Sequence, residues 1–89
     1  MLSDENLFCR VCGYESEEPT WGEDGRTPNF EFCPCCGVQH GYEDATDTAV
    51  KKFRNQWIAA GAKWDDIRSK PEGWSLDMQI QNVPVSFKS

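Results

Sequence analysis

Five cysteines carry the clearest chemical signal in this 89-residue chain. Four of them form two Cys-x-x-Cys-Gly segments, residues 9–13 and 33–37. Cysteines with this spacing fold back in a tight turn that brings both sulfurs to one side, and the glycine accepts the positive φ that ends the turn. Two such turns supply four thiolate ligands within tetrahedral reach of one cation. The spacing therefore predicts a metal site whose ligands are Cys9, Cys12, Cys33 and Cys36.

The fifth cysteine, Cys35, is adjacent to Cys36 and lacks the spacing that would turn it toward the site. It is either a small packed residue or a reactive thiol that is oxidised or exchanges as a ligand. The one histidine, His40, is an alternative ligand in a mixed site. Because four cysteines already complete the coordination shell, we expect His40 at the surface or beside the ligands.

Tetrahedral sulfur sites suit zinc or a single iron, and the ligand spacing does not separate the two metals. A site with four thiolates is closed, so it offers no open position for hydrolysis. The sequence has no Ser–His–Asp set, no Gly-rich phosphate loop and no His-Glu-x-x-His. The pair Glu43–Asp44 is interpreted as a solvated face and a helix N-cap. We therefore expect structural zinc, with iron as the alternative, and no enzymatic activity.

The charge of the chain is uneven. Net charge is −6, and residues 1–50 hold 11 of the 15 acidic residues but only two of the nine lysines and arginines. Such a surface repels phosphate backbones, which disfavours nucleic acid and favours a basic protein partner. No run approaches the ~20 apolar residues of a membrane span, and the first residues do not resemble a secretory signal. We expect a monomer in the reducing cytoplasm, without membrane contact.

The elements that position the cysteines are short. Residues 6–43 predict two hairpin-like turns, with a short strand over residues 29–32. Residues 45–60 predict one amphipathic helix, capped by Asp44 and stopped by Gly61, with Lys51, Lys52 and Arg54 on its outer face. Its apolar stripe contains Ala49, Phe53, Trp57 and Ala60.

Beyond this helix, Trp64–Arg68 predicts a short helical turn, and the alternation of Leu76, Met78 and Ile80 predicts a weak C-terminal strand or irregular tail. The whole chain, residues 1–89, is expected to form one small α+β domain. In it the helix and tail, residues 44–89, pack on the cysteine-bearing segment.

Four tryptophans are many for so short a chain. Trp57 and Trp64 are expected to pack the helix onto the cysteine-bearing segment. Trp21 and Trp74 lie in loops and fit two interpretations equally well, core packing or partly exposed anchors for a partner.

Two resemblances follow from these motifs. Cys-x-x-Cys-Gly-Tyr at residues 9–14 and Cys-Pro-x-Cys-Gly at residues 33–37 resemble the two knuckles of rubredoxins, which are iron electron carriers, and of zinc ribbons. Over a longer stretch, the chain resembles a group of largely uncharacterised bacterial cysteine-rich small proteins with a CPCC motif. That resemblance rests on Cys-Pro-Cys-Cys at 33–36, Phe-Arg-x-x-Trp-Ile at 53–58 and Gly-Ala-x-Trp at 61–64. It implies a small metal-bound domain and, since some members are thought to sit beside toxin genes, an immunity role. The resemblance of the knuckles implies that this domain is of the rubredoxin-like or zinc-ribbon type.

Three functional hypotheses result. The first is a structural-zinc protein that acts as a protein–protein interaction module, with toxin immunity as its most concrete form. The second is a rubredoxin-like iron electron carrier. The third is a metal–thiolate redox sensor that works through Cys35.

Overall fold

A computed structural model describes residues 7–22, 24–84 and 87. Its helices are α1 (Asp47–Ala59), a 3₁₀ helix (Ile67–Ser69) and α2 (Leu76–Ile80). No β-strand occurs among the described residues, which contain two isolated antiparallel bridges instead, Phe8 with Glu15 and Phe32 with Gln39. The predicted strand over residues 29–32 is therefore wrong, since only Phe32 pairs and Phe30 has a φ of 59°.

Each cysteine pair lies in a turn that we call a knuckle, the first at residues 7–16 and the second at residues 31–40. The two knuckles share one backbone hydrogen-bond pattern, repeated from Cys9 to Cys33. In the first, the N–H groups of Cys9, Gly13 and Ser16 donate to the carbonyls of Tyr14, Cys9 and Leu7, at 2.9, 3.0 and 2.7 Å. In the second, those of Cys33, Gly37 and His40 donate to Val38, Cys33 and Glu31, at 2.8, 2.9 and 3.1 Å. The irregular backbone thus satisfies its own polar groups without a sheet.

The N-cap of helix α1 lies two residues after the predicted one, Asp44. Thr46 is the N-cap, and its hydroxyl accepts a hydrogen bond from the Ala49 N–H at 3.1 Å. The prediction that Asp44 caps the helix is wrong, because the Asp44 carboxylate is occupied by partners within residues 21–41. The helix ends as predicted near Gly61, which has a φ of 105°.

The buried face of α1 is centred on Val50, Arg54 and Trp57. The prediction that Arg54 lies on the outer face is therefore wrong. Its guanidinium donates to the carbonyls of Val11 (2.6 Å), Arg10 (2.8 Å) and Phe87 (2.7 Å). A guanidinium has donors enough to satisfy several carbonyls at once, so Arg54 joins α1 to irregular backbone that has no sheet partner.

The segment after α1 packs against both knuckles. Trp57 and Trp64 are each 7% exposed, which confirms their predicted packing role. The Trp57 indole N–H donates to the Lys63 carbonyl at 2.8 Å. The N–H groups of Asp65 and Asp66 donate to the carbonyls of Cys35 and Pro34, at 2.9 and 2.8 Å. The chain between α1 and the 3₁₀ helix is therefore fixed to the second knuckle.

Residues 76–80 form helix α2, so the weak strand predicted at Leu76, Met78 and Ile80 is wrong. A strand needs a hydrogen-bonded neighbour, whereas a helical turn satisfies its backbone locally. The predicted tail at 85, 86, 88 and 89 lies outside the described residues. Within the part of the chain that the structure describes, no helix is long and apolar enough to cross a bilayer.

Candidate metal centre

The knuckles bring four buried sulfur atoms together. The Sγ atoms all lie within 4.8 Å of one another, and they belong to Cys9, Cys12, Cys33 and Cys36. Across the two knuckles, the Sγ atoms of Cys9 and Cys36 lie 3.8 Å apart, and those of Cys12 and Cys33 lie 3.6 Å apart. The structure thus assembles the residues that the sequence spacing selects as ligands.

These separations fit a metal tetrathiolate. A metal–sulfur bond of about 2.3 Å in a tetrahedral site gives an edge of about 3.8 Å between sulfurs. A disulfide would instead need about 2.05 Å, and all five cysteines are free. One cation at the centre of the four sulfurs would therefore bind them without a large rearrangement of the knuckles.

The electrostatics of the cysteine cluster also favour a bound cation. Burial raises the pKa of the Cys12 and Cys36 thiols well above the ordinary value. Hydrogen bonds from Cys12, Cys36 and Cys9 lower the pKa of Cys33, because its sulfur is the acceptor within the group. A divalent metal would displace the thiol protons and balance four thiolates in the interior.

Backbone geometry fixes the positions of the sulfurs. Gly13 and Gly37 end the two turns with φ of 83° and 80°, a region that favours glycine. A Cβ at Gly13 would also overlap the backbone carbonyl of Gln79. The first knuckle therefore needs glycine both for its turn and for the close approach of α2.

Cys35 lies outside the four-sulfur group and is fully buried. Its sulfur accepts a hydrogen bond from Gln79 Nε2 at 3.1 Å, and the same Nε2 donates to the Cys12 carbonyl at 3.2 Å. The Gln79 Oε1 in turn accepts the Trp74 indole N–H at 2.8 Å. This position agrees with a packed residue, and the reactivity of Cys35 stays a prediction.

His40 is also outside the group. It is 2% exposed, and its Nδ1 lies 2.9 Å from Asp44 Oδ2. Asp44 accepts two further bonds, from Trp21 Nε1 at 2.9 Å and from the Gly41 N–H at 2.7 Å. Burial raises the pKa of Asp44, but the bonds from His40, Trp21 and Gly41 more than offset it, so the pKa lies below its ordinary value.

Sequence reasoning missed the His40–Asp44 pair and the burial of Arg54. His40 and Asp44 are four residues apart, a spacing that permits the observed pair without predicting it. Arg54 shares its helix face with Val50 and Trp57, and that spacing is a signal that its side chain is buried. The exposed carboxylate of Glu43 accepts from the Gln39 N–H at 3.3 Å and does not join Asp44 in an acid pair.

The two loop tryptophans differ. The Arg10 guanidinium lies 3.9 Å from the centroid of the Trp21 ring, so Trp21 is covered on one face and bonded to Asp44. Trp74 is half-buried beside Trp64, with ring centroids 5.5 Å apart. The anchor interpretation fits Trp74 better than it fits Trp21.

Two curated proteins resemble the chain. It is 28% identical over 80 residues to "Uncharacterized protein YozI" of Bacillus subtilis (strain 168), covering 72% of the chain and 66% of the relative. It is 31% identical over 70 residues to "Uncharacterized protein YoaQ" of the same strain, covering 60% and 58%. The chain thus matches just under two thirds of the length of the first relative and less of the second. No family model and no solved structure matches it.

These relatives confirm similarity to uncharacterised bacterial proteins, and the four-sulfur cluster agrees with a small cysteine-rich protein. Membership of a CPCC group stays a prediction. The names of these relatives state no activity, so a function can be argued only from the chemistry of the site.

Proposed function

We propose that this chain is a small zinc-binding protein whose structural four-cysteine site supports a module that binds another protein. The observation that carries the proposal is the group of four buried sulfurs, with separations of 3.6 and 3.8 Å across the knuckles. Cys9, Cys12, Cys33 and Cys36 would hold the ion. When bound, zinc supplies a cross-link between the two knuckles, in a chain too small to depend on apolar burial alone.

A structural role follows from the nature of the site. Four thiolates complete a tetrahedral shell, and the ligands are at most 7% exposed. A closed and buried site favours stabilisation over catalysis. We therefore propose a single domain without enzymatic activity, in which the surface around the metal is the functional part.

Iron in the same four-sulfur site is the second candidate, because its geometry is also tetrahedral. Expression of the chain in medium that contains both metals, followed by metal analysis and a visible spectrum, tests the two. We expect one equivalent of zinc and a colourless protein. One equivalent of iron with a red colour and reversible reduction would replace the zinc proposal with the electron-carrier proposal.

In this proposal the chain is a monomer in the cytoplasm, and its partner is a basic protein. Net charge of −6, concentrated in the cysteine-bearing half, supports this because opposite potentials raise the encounter rate. The most concrete form of this interaction is the neutralisation of a cationic toxin. Pull-down from the native host at low and high salt tests the proposal. We expect a basic protein that is lost at high salt, and retention of only acidic proteins would contradict it.

A further inference from the structure

A groove of about 600 Å³ lies between the first knuckle and the chain around α2. Three aromatic side chains line it, those of Tyr14, Trp64 and Trp74, and the 73%-exposed Met78 lies beside them. Tyrosine, tryptophan and methionine are among the side chains most enriched in protein interfaces. We call this feature the aromatic groove.

The walls of the aromatic groove are fixed before any partner binds. Trp64 packs edge to face against Tyr14 and Trp74, with centroid distances of 5.7 and 5.5 Å. Trp74 is further held by its bond to Gln79, and Gly13 brings the knuckle backbone close to that residue. Rigid aromatic walls lose little conformational freedom on binding, which favours affinity.

The charge of the aromatic groove selects a cation. Glu15 and Glu72 line it, and none of the described lining residues is a lysine or an arginine. Neither glutamate forms an ion pair with a residue that the structure describes. Lys70 already places its Nζ 5.5 Å from the centroid of the Trp74 ring, so this ring accepts a cation from its own chain.

We propose that the aromatic groove binds an arginine-bearing extended segment of a partner protein. The guanidinium stacks on the exposed aromatic surface and pairs with Glu15 and Glu72. Arginine is preferred over lysine because its planar group both stacks and pairs with carboxylates. The inference rests on the proposed function, since it names the surface through which the module meets its basic partner.

The test uses the zinc-loaded full chain with ¹⁵N-labelled tryptophans, and the peptide acetyl-Gly-Ala-Arg-Ala-Gly-amide as the probe. We expect saturable shifts of the Trp64 and Trp74 indole signals, because both rings line the groove. The indoles of Trp21 and Trp57 already donate to partners elsewhere, and they serve as internal controls that stay still. A peptide with neutral citrulline in place of arginine should bind at least about tenfold more weakly.

Charge variants distinguish the effect of the glutamates in the aromatic groove from the effect of the overall negative charge of the chain. The double variant E15Q/E72Q should weaken binding about tenfold, whereas the control E31Q/E43Q, with the same change in charge outside the groove, should stay within about twofold. W74F, which keeps a ring in place, should weaken binding without loss of metal. Equal effects of the two double variants, equal binding of the citrulline peptide, or no indole shift at millimolar peptide would overturn the proposal.

Metal content is measured on the same samples, so the two proposals fail separately. A sample with one equivalent of zinc and no indole shift overturns the aromatic-groove proposal alone. A folded sample that binds the arginine peptide but takes up no zinc overturns the zinc proposal alone.

Discussion

The cysteine-bearing region, residues 7–44, and the helical region, residues 47–84, are built in different ways. Of the ten largest fully buried side chains, nine lie between Cys9 and Asp44 and one, Val50, lies in α1. Yet the cysteine-bearing region has no strand or α-helix among its described residues, whereas all the α-helical turns belong to the other region. The more regular region is therefore the less buried one.

This difference shows where stability must come from. The buried residues of the cysteine-bearing region are small or polar, chiefly cysteines and valines with Thr20, His40 and Asp44. Such side chains bury little apolar area, and at about 25 cal/mol per Å² they contribute little hydrophobic stabilisation. A metal ion that cross-links the two knuckles would supply the stability that apolar burial does not. The helical region, in turn, packs its large aromatic side chains around the cysteine-bearing region.

The largest expected effect comes from the proposed ligands, because a structural zinc ion contributes about 10–16 kcal/mol of apparent binding free energy. Cys9→Ser should abolish metal binding and unfold the cysteine-bearing region, measured by metal content and amide hydrogen exchange. Cys35→Ser is the matched control and should keep one metal ion per chain. Full protection of the knuckles in a strong chelator would show that the metal is incidental.

The control also bears on the redox hypothesis. If Cys35 serves only as a packed residue, Cys35→Ser leaves both the metal content and the response to hydrogen peroxide unchanged. A lost response in this variant would instead support the thiol-sensor alternative.

Arg54→Ala should cost about 3 kcal/mol of unfolding free energy, because it leaves three carbonyls without their donor and opens a cavity. Those carbonyls belong to Val11, Arg10 and Phe87. Urea unfolding of the zinc-loaded protein measures the loss. Arg68→Ala removes the same kind of side chain from a position that is 89% exposed, and it should change stability by at most about 0.5 kcal/mol. Similar losses in both variants would contradict the linking role of Arg54.

Gly13→Ala and Gly73→Ala compare backbone strain with and without a steric clash. Both glycines have positive φ, 83° and 74°, but an added Cβ meets the Gln79 carbonyl at Gly13 and nothing within 4 Å at Gly73. Strain alone costs about 1–2 kcal/mol. We therefore expect Gly73→Ala to lose about that amount and Gly13→Ala to lose clearly more in thermal unfolding. Equal losses would mean that α2 does not press on the first knuckle.

Asp44→Asn tests the polar interior of the cysteine-bearing region. Oδ1 accepts from Gly41 and Oδ2 from His40 and Trp21, so an amide places its NH₂ group against a donor. We expect a loss of about 2 kcal/mol at neutral pH, measured by urea unfolding. Asp77→Asn, an exposed change of the same kind, should lose little.

The pH dependence has a defined sign. Because the pKa of Asp44 is lowered on folding, its contribution is complete above the unfolded pKa of about 3.9 and is lost as pH falls through the lower folded value. The difference in unfolding free energy between wild type and Asp44→Asn should thus shrink as the pH falls below about 4. A difference that instead grows below about pH 4 would contradict the lowered pKa.

Local spacing by itself determined the cysteine set and α1. The Cys-x-x-Cys-Gly segments specify two tight turns whatever surrounds them, and the periodicity of residues 45–60 specifies a helix within a residue or two of Asp47–Ala59. Trp57 and Trp64 are predictable as packing residues for a different reason, because little else in the chain is large enough to fill a core.

Only the tertiary structure decided the roles of Asp44, Arg54 and α2. The partners of Arg54 are carbonyls on Arg10, Val11 and Phe87, far away in the sequence, and no local pattern reveals them. Helix α2 forms where the alternation of apolar residues predicted a strand. An isolated strand has no neighbouring strand for its backbone hydrogen bonds, whereas a helical turn satisfies its own backbone groups. Turns are fixed by bonds within a few residues, but polar pairing in the interior depends on which distant backbone groups the fold leaves unsatisfied.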